Sequence, residues 1–515
     1  MIPAFFISDN CLILNPNPNP VMRIFYNSFR ECAALLFFFS FISCGFSQSG
    51  VEVGNIVAEY EQYKERSLTK RRTTRKDILP LINELKGLDK FSVQKVGESI
   101  EGRDLTLISI GTGDTSVFLW SQMHGDESTA TMALFDIFNF LNSEDYKDEK
   151  QQLLENVTLH FLPMLNPDGA EMFARRNALG IDVNRDALRL QSPEGQTLKR
   201  IRDSLDADWG FNLHDQSKYY NVQGTDKPAT ISFLAPAFDY EKNVDEKRAD
   251  AMQLIVVMNE QLQKYIPGQV ARYNDDFEPR AFGDNIQKWG TRTILIESGG
   301  NYDDPEKQEI RKMNFAAILS ALFAISNSSY EEVDHRKYNE IPHNDSKLFD
   351  LKLTGLVYNL NGEEYILDLG INHQEIFARN PQGFYYSGRI ADQGDLSTSF
   401  GYEAVDVSGY KLKPGKVYEQ LMPDLAAVGK LDFDDLLKKG YTYVRVKNLP
   451  RNQSYSKYPV QLVGESFKVP TRLQPGIIPS FLLENEGQLE YVVVNGFLYK
   501  LDGNLGNIRN GGILK

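Results

Sequence analysis

From Leu105 onward the chain alternates short apolar runs with longer helical ones, and that alternation limits what it can fold into. Leu105–Ile110, Val117–Gln122, Leu159–Leu165, Gly210–Leu213 and Thr293–Ile296 read as strands buried on both faces. Thr129–Leu141, Val244–Tyr265 and Glu306–Ile325 read as helices. The alternation implies an α/β fold, a mixed twisted sheet with helices on both faces. His124, Glu127, Asn166, His214 and Glu297 all fall at or just past the carboxyl ends of these strands. In open α/β sheets that edge is where ligands bind.

The run Val117–Trp120 leads into Ser121–Gln122–Met123–His124–Gly125–Asp126–Glu127. An imidazole and a carboxylate held this close in a Gly-containing turn can both ligate one zinc ion. The pattern H-x-x-E alone is weakly specific, and its plainer reading is a turn with a surface Glu. His214 ends a second apolar run, Trp209–Leu213, in the same context. Two His and one Glu leave the fourth tetrahedral position for water, as in a catalytic rather than a structural zinc site.

Three further segments raise the specificity. Asn166–Pro167–Asp168–Gly169 follows a strand-like run, and Arg175–Arg176–Asn177 precedes Gly180–Ile181–Asp182–Val183–Asn184–Arg185–Asp186. Thr293–Ile296 runs into Glu297–Ser298–Gly299–Gly300. In this order, H-x-x-E, N-P-D-G, R-x-N with G-x-D-x-N-R, a late His and a strand-end Glu, the chain resembles the zinc metallocarboxypeptidases, the M14 peptidases. The resemblance covers about Tyr60 to Ser326 and includes Gly97–Glu98–Ser99–Ile100–Glu101–Gly102–Arg103, similar to an early hairpin of that family.

The resemblance implies one zinc per chain on His124, Glu127 and His214, with Glu297 as the general base acting on a zinc-activated water. It implies that Asn184 and Arg185 bind a terminal carboxylate, which suits a bidentate guanidinium. Arg175 aligns with the arginine that stabilises the oxyanion, and Arg176 takes that role if the loop registers differently. Asn166, Asp168 and Gly169 are expected to shape the site. Members of the family carry a Tyr that closes over the substrate roughly 20 residues before the catalytic Glu; Tyr273 and Phe277 lie near that place. Arg280 falls where the terminal side chain is selected, and would favour an acidic one. Asp215, beside His214, is a candidate to support that ligand from behind. His160 reads as a core or supporting residue, and His335, His343 and His373 as surface residues.

A net charge of −14 and a pI near 5.1 argue against a nucleic-acid partner. The cluster Lys70–Arg71–Arg72 with Arg75 and Lys76 reads as a solvated helix face. All three cysteines, Cys11, Cys32 and Cys44, precede residue 45, so the body of the chain has no disulfide framework and no thiol chemistry.

Residues 1–47 read as a targeting segment. Ala33–Ile42 is an apolar core of secretory-signal length, preceded by Arg23 and Arg30, and Met22 is a natural start that makes 1–21 an overextension. Phe41–Ile42–Ser43–Cys44 resembles a degenerate bacterial lipobox, with Cys44 the site of a lipid anchor; cleavage near Ser47–Gln48 is the plainer alternative. Either route predicts an exported protein, periplasmic, secreted or an outer-membrane lipoprotein. The peptidase-like domain spans 51–326, with Asp77 expected to cap a helix over Ile78–Leu85. A polar linker spans 327–347, and a β-rich accessory region spans 348–515, with runs at Leu351–Leu353, Glu364–Leu369, Tyr441–Val446 and Glu490–Leu501. That region reads as a packing module or as a carbohydrate- or cell-wall-binding one.

The leading expectation is an exported metallocarboxypeptidase acting on peptides or murein stem peptides. A zinc-dependent deacylase or amidase on N-acyl amino acids or cell-wall peptides shares the ligand set, but the export segment and the complete Asn184–Arg185 pair disfavour it. A non-catalytic binding protein on the same scaffold conflicts with intact ligands and an intact Glu297.

Overall fold

The computed structural model describes residues 53–376, 384–503 and 509–515. Residues 1–47, expected to be a targeting segment, and Cys44 within them lie outside these residues. Among the described residues no helix is long and apolar enough to cross a membrane.

Eight strands form one mixed sheet in the order β1-β2-β4-β3-β5-β9-β7-β8. They are β1 (Ser92–Glu98), β2 (Asp104–Gly111), β3 (Thr115–Ser121), β4 (Val157–Leu162), β5 (Trp209–Asp215), β7 (Ile231–Leu234), β8 (Val270–Arg272) and β9 (Arg292–Ser298). Each expected strand is present. The central strands β4, β3, β5 and β9 run parallel, while β2 and β7 are antiparallel to their neighbours β4 and β9. From β3 the chain goes to β4 on one side and later returns to β5 on the other. The order therefore reverses at β3, and connections leaving in opposite directions open a crevice at the carboxyl ends.

Side chains alternate across the sheet. Phe118 and Trp120 of β3 face a core containing Leu105, Leu162, Leu198, Ile201, Phe282 and Ile286, closed by helices Pro193–Leu205 and Phe282–Lys288. Ser121 faces the other side, its Oγ 2.8 Å from Thr131 Oγ1. Helices Thr129–Asn142, Glu246–Leu262 and Gln308–Ser326 pack together there. Every residue from Met313 to Ile325 is buried, so this last helix is covered all round.

A fully buried ion pair anchors the start of the domain. Arg311 Nε donates to Asp136 Oδ2 at 2.7 Å, and Tyr60 Oη donates to the same oxygen at 2.9 Å. Arg311 Nη2 also donates to Glu65 O at 3.0 Å, and Nη1 to Leu68 O. The next helix begins earlier than expected, at Arg75, and runs to Lys86. Thr74 is its cap, and Asp77 is the third residue of a capping box, accepting from Thr74 N at 2.8 Å. The basic cluster is not a solvated helix face, since Lys70, Arg71 and Arg75 pair with Glu306, Glu375 and Asp104.

Residues 327–347 hold two short 3-10 turns, Ser329–Glu332 and His335–Glu340. Tyr330 packs edge-on against Trp209, and Tyr338 is buried with Arg272 over its ring. A two-residue strand β10 (Asn344–Asp345) then pairs with β6 (Asn221–Val222), just beyond β5. The C-terminal region builds two sheets. The first contains β11 (Leu348–Leu360), β12 (Glu363–Ile376), β13 (Tyr385–Gly394), β14 (Phe400–Asp406), Lys411–Pro414, Phe481–Asn485, Gln488–Val494 and Phe497–Lys500. The second joins Lys416–Met422, Tyr441–Val446, Gln461–Val463, Gly511–Leu514 and Tyr455–Ser456. One apolar cluster lies on the first sheet, and another joins Leu482, Val492 and Val494 of that sheet to Val444, Leu462 and Ile513 of the second. The run Glu490–Leu501 is a hairpin turned at Asn495–Gly496, both at positive φ, as the tightest right-twisted hairpins require. His373, expected on the surface, is largely covered and stacks on Phe497 with ring centroids 4.0 Å apart.

Candidate active site

The turn after β3 is tied at both ends. Gln122 takes φ 52°, uncommon for a residue with a Cβ. Its buried Nε2 donates to Thr73 O at 3.0 Å and to Gly125 O at 2.9 Å. Gly125 lies against the backbone of Gly169 and Ala170, where a Cβ would overlap main-chain atoms. Asn166 Oδ1 accepts from Gly169 N at 2.9 Å, capping helix Pro167–Met172, and its Nδ2 donates to Met123 O at 3.3 Å. H-x-x-E and N-P-D-G are thus one knot of backbone. Asp168 fastens the hairpin beneath it, accepting from Ser99 Oγ at 2.7 Å, Glu101 N at 2.9 Å and Arg103 Nη1 at 2.6 Å.

His124, Glu127 and His214 converge from this knot and from β5, and all three are buried. Glu127 Oε1 lies 2.8 Å from His124 Nδ1, and Oε2 lies 2.7 Å from His214 Nδ1. The donor atoms all fall within 4.8 Å of one another. Two imidazole nitrogens and one carboxylate at this range fit the donor set of a catalytic zinc site. Burial works against the Glu127 charge, but the two imidazoles outweigh it and hold the carboxyl well below its usual range. His214 is shifted down by burial, against the pull of Glu127.

Support for a ligand comes from Asp182, which sequence reasoning left without a role inside its own motif. Its Oδ1 lies 3.0 Å from His124 Nε2, so His124 keeps Nδ1 turned to the centre. Burial lowers the His124 imidazole, yet Glu127 and Asp182 more than offset it and push it up to about 9. Asp215 is not that support: its Oδ2 accepts from Thr129 Oγ1 at 2.6 Å and from the buried Lys307 Nζ at 3.0 Å. Its backbone N–H instead donates to Glu127 Oε2 at 3.1 Å.

A cavity of about 420 Å³ opens onto the triad and is lined by Glu297, Arg175, Asn184, Arg185 and Tyr273. Burial, then the charge of Glu127, raises the Glu297 carboxyl well above its usual range. Arg175 Nη1 lies 3.1 Å from His124 Nδ1 and donates to Glu127 Oε1 at 3.2 Å, while its Nε donates to Asp182 Oδ2 at 3.0 Å. Arg176 turns away, donating to Gly180 O at 3.0 Å, and is absent from the lining. Asn184 Oδ1 accepts from Phe282 N at 2.9 Å, which couples the G-x-D-x-N-R loop to helix Phe282–Lys288. Arg185 Nε lies 3.5 Å from Glu278 Oε2. Tyr273 is packed edge-on against Tyr220, with burial and Glu297 raising its phenol. His160 lies away from this cavity, its Nδ1 2.8 Å from Ser109 Oγ.

One corner of the cavity is acidic, with Asp276, Glu278 and Asp284 in the lining. Glu278 is engaged by Arg185 and by Arg280, whose Nε and Nη2 both donate to it. Arg280 is exposed and outside the lining, so it does not make the cavity basic. Asp284 is buried, accepts from Glu278 N at 2.8 Å, and is pushed up to about 7 by burial. Nothing in the sequence around Asp284 set it apart from any other helix-start acid.

Residues 82–227 match the family model described as zinc carboxypeptidase. This region is similar to the zinc carboxypeptidase family. Similar proteins include carboxypeptidase SOL1 of Arabidopsis thaliana, 30% identical over 217 residues, covering 36% of this chain and 44% of that one. The carboxypeptidase N catalytic chain of Homo sapiens is 30% identical over 125 residues, covering 20% and 27%. The chain thus spans less than half the length of either relative. A metallo-carboxypeptidase structure from Burkholderia cenocepacia matches 50% of this chain and 70% of its own, at 18% identity and a TM-score of 0.42. The matched residues include the His-Glu-His triad described above.

Proposed function

We propose that the chain is a metallocarboxypeptidase that removes C-terminal residues from peptides, with one zinc ion held by His124, Glu127 and His214. The observation that carries this reading is that Asn184 and Arg185 line the same cavity as the triad and Glu297. Zinc bound there supplies a Lewis acid that polarises a carbonyl and lowers the pKa of water to about 7. Glu297 takes the water's proton and later delivers it to the leaving amine, a task suited to a carboxyl raised by burial. Arg175 presents a guanidinium held by Asp182 to the negative charge developing on the carbonyl oxygen. Arg185, with Asn184, binds the terminal carboxylate.

The acidic corner extends the reading to the terminal side chain. Among the described residues Asp284 lines the cavity without a basic partner in hydrogen-bond contact, so a cationic terminal residue, Lys or Arg, is the complement it supports. This replaces the acidic preference expected from Arg280. Export, and lipid anchoring at Cys44, rest on the sequence of residues 22–48 alone; the mass of the mature N-terminus tests both.

The deciding test of the carboxypeptidase reading compares a peptide as free acid and as C-terminal amide. The wild type should cleave the acid about ten- to a hundred-fold faster, the worth of a charge-assisted pair of roughly 1.5–3 kcal/mol. Arg185→Ala should slow the acid and leave the amide nearly unchanged. Equal wild-type rates on acid and amide would refute exopeptidase action.

A further inference from the structure

We propose that Asp350, in the C-terminal region, is a positioning residue for the substrate cavity. The proposal rests on the carboxypeptidase reading for its kinetic consequence, and on geometry alone for the positioning. The loop after β5 divides its side chains between two sides. Gln216, Ser217 and Tyr220 line the cavity, while Lys218 and Tyr219 reach the other way. Asp350 on β11 receives both: Lys218 Nζ donates to Oδ1 at 2.6 Å, and Tyr219 Oη donates to Oδ2 at 2.7 Å. The carboxylate is itself held, because His373 N donates to Oδ2 at 2.6 Å. One largely covered acid on the C-terminal sheet therefore fixes both outward side chains of a loop whose inward side chains form the cavity wall.

Neighbouring contacts make the attachment continuous. Asn344 Nδ2 donates to Gln216 Oε1 at 3.0 Å, Leu348 N to Tyr219 O at 3.2 Å, and Tyr402 Oη to Lys218 O. Tyr402 also packs against the turn after Glu297, where a Cβ on Gly300 would overlap its hydroxyl. On the opposite rim Glu375 pairs with Arg71, whose carbonyl accepts from Ser128 beside Glu127. The C-terminal region thus contacts the loops after β5 and β9 directly, and the turn after β3 through Arg71. A detachable carbohydrate-binding module has no need of such contacts. A loop held in its binding conformation does, since ordering it during substrate binding costs affinity.

The test uses full-length Asp350→Ala and Asp350→Asn, with an acylated dipeptide ending in arginine as substrate. Asp350→Ala should raise KM about tenfold with kcat within about twofold, at unchanged metal content. Asp350→Asn keeps acceptors for Tyr219 and His373 while losing the charge facing Lys218, and should recover part of the loss. Hydrogen exchange reads the positioning without turnover: amides of residues 216–222 should exchange faster in Asp350→Ala, and those of β3 and β9 should not. If the wild type hydrolyses no such peptide, the reading of a basic terminal residue fails and the exchange result alone decides the positioning. Unchanged exchange across 216–222 overturns the proposal, and so does an equal fall of kcat and loss of protection throughout the sheet, which mark a folding defect.

Discussion

His214 and Glu297 are register partners on the adjacent parallel strands β5 and β9. Partners in a parallel ladder share a face and lie about 4.8 Å apart at the backbone. The proposed metal ligand and the carboxyl proposed to carry the proton are thereby set side by side by main-chain hydrogen bonds, before any side-chain contact is made. Glu297 is also paired to Ser232 on its other flank, so its strand is held on both sides. That rigidity suits the proton-transfer role proposed for Glu297.

The metal centre should fail in a graded way. His124→Ala and His214→Ala should each lose bound zinc, because each removes one of three protein ligands. Asp182→Asn should keep zinc but bind it about 10- to 100-fold more weakly, the usual cost of losing a partner behind a ligating imidazole. Metal analysis and competition with a chelator check this. Full occupancy in both histidine variants would end the assignment.

Glu297→Gln should retain zinc and substrate affinity while kcat falls about 10²- to 10⁴-fold, the range of acid–base catalysis. Single-turnover kinetics with metal analysis separate the two effects. A variant keeping more than about a tenth of wild-type kcat points to another base.

Preference for a basic terminal residue should depend on pH with a definite sign. Burial pushes Asp284 up to about 7, so its carboxyl is neutral below that pH and charged above it. The kcat/KM ratio for an arginine-ending over a leucine-ending peptide should therefore rise about tenfold between roughly pH 6 and pH 8. Asp284→Asn should flatten the ratio across that window. A ratio independent of pH in the wild type removes Asp284 from the specificity role.

Breaking the buried Asp136–Arg311 pair on one side should be costly. Arg311→Met leaves Asp136 buried with Tyr60 and Glu65 N as its remaining partners, and the loss is about 3–5 kcal/mol. Denaturant unfolding measures it, and zinc content at low denaturant should be unchanged. A loss under about 1 kcal/mol indicates that water or a rearranged neighbour replaces the guanidinium.

Much was legible in the sequence because it is local. Continuous apolar runs such as Val117–Trp120 and Thr293–Ile296 specify strands buried on both faces, and they place His124, Glu127, His214 and Glu297 at one edge of the sheet. Asn166–Pro167 and Gly169 mark a helix start and a close backbone approach that the turn chemistry of those residues requires. Which carboxylate stands behind one of these imidazoles was not legible: Asp215 was expected behind His214, whereas the one found is Asp182 behind His124. Asp215 is adjacent in sequence, but β-strand alternation sends its side chain away from that of His214, while Asp182 arrives from a loop 58 residues on. Nor could sequence choose between Arg175 and Arg176, or show that Arg280 is spent on Glu278 while Asp284 faces the cavity. Those choices depend on distances between segments remote in the chain, and only the packed sheet and the loops at its carboxyl edge set them.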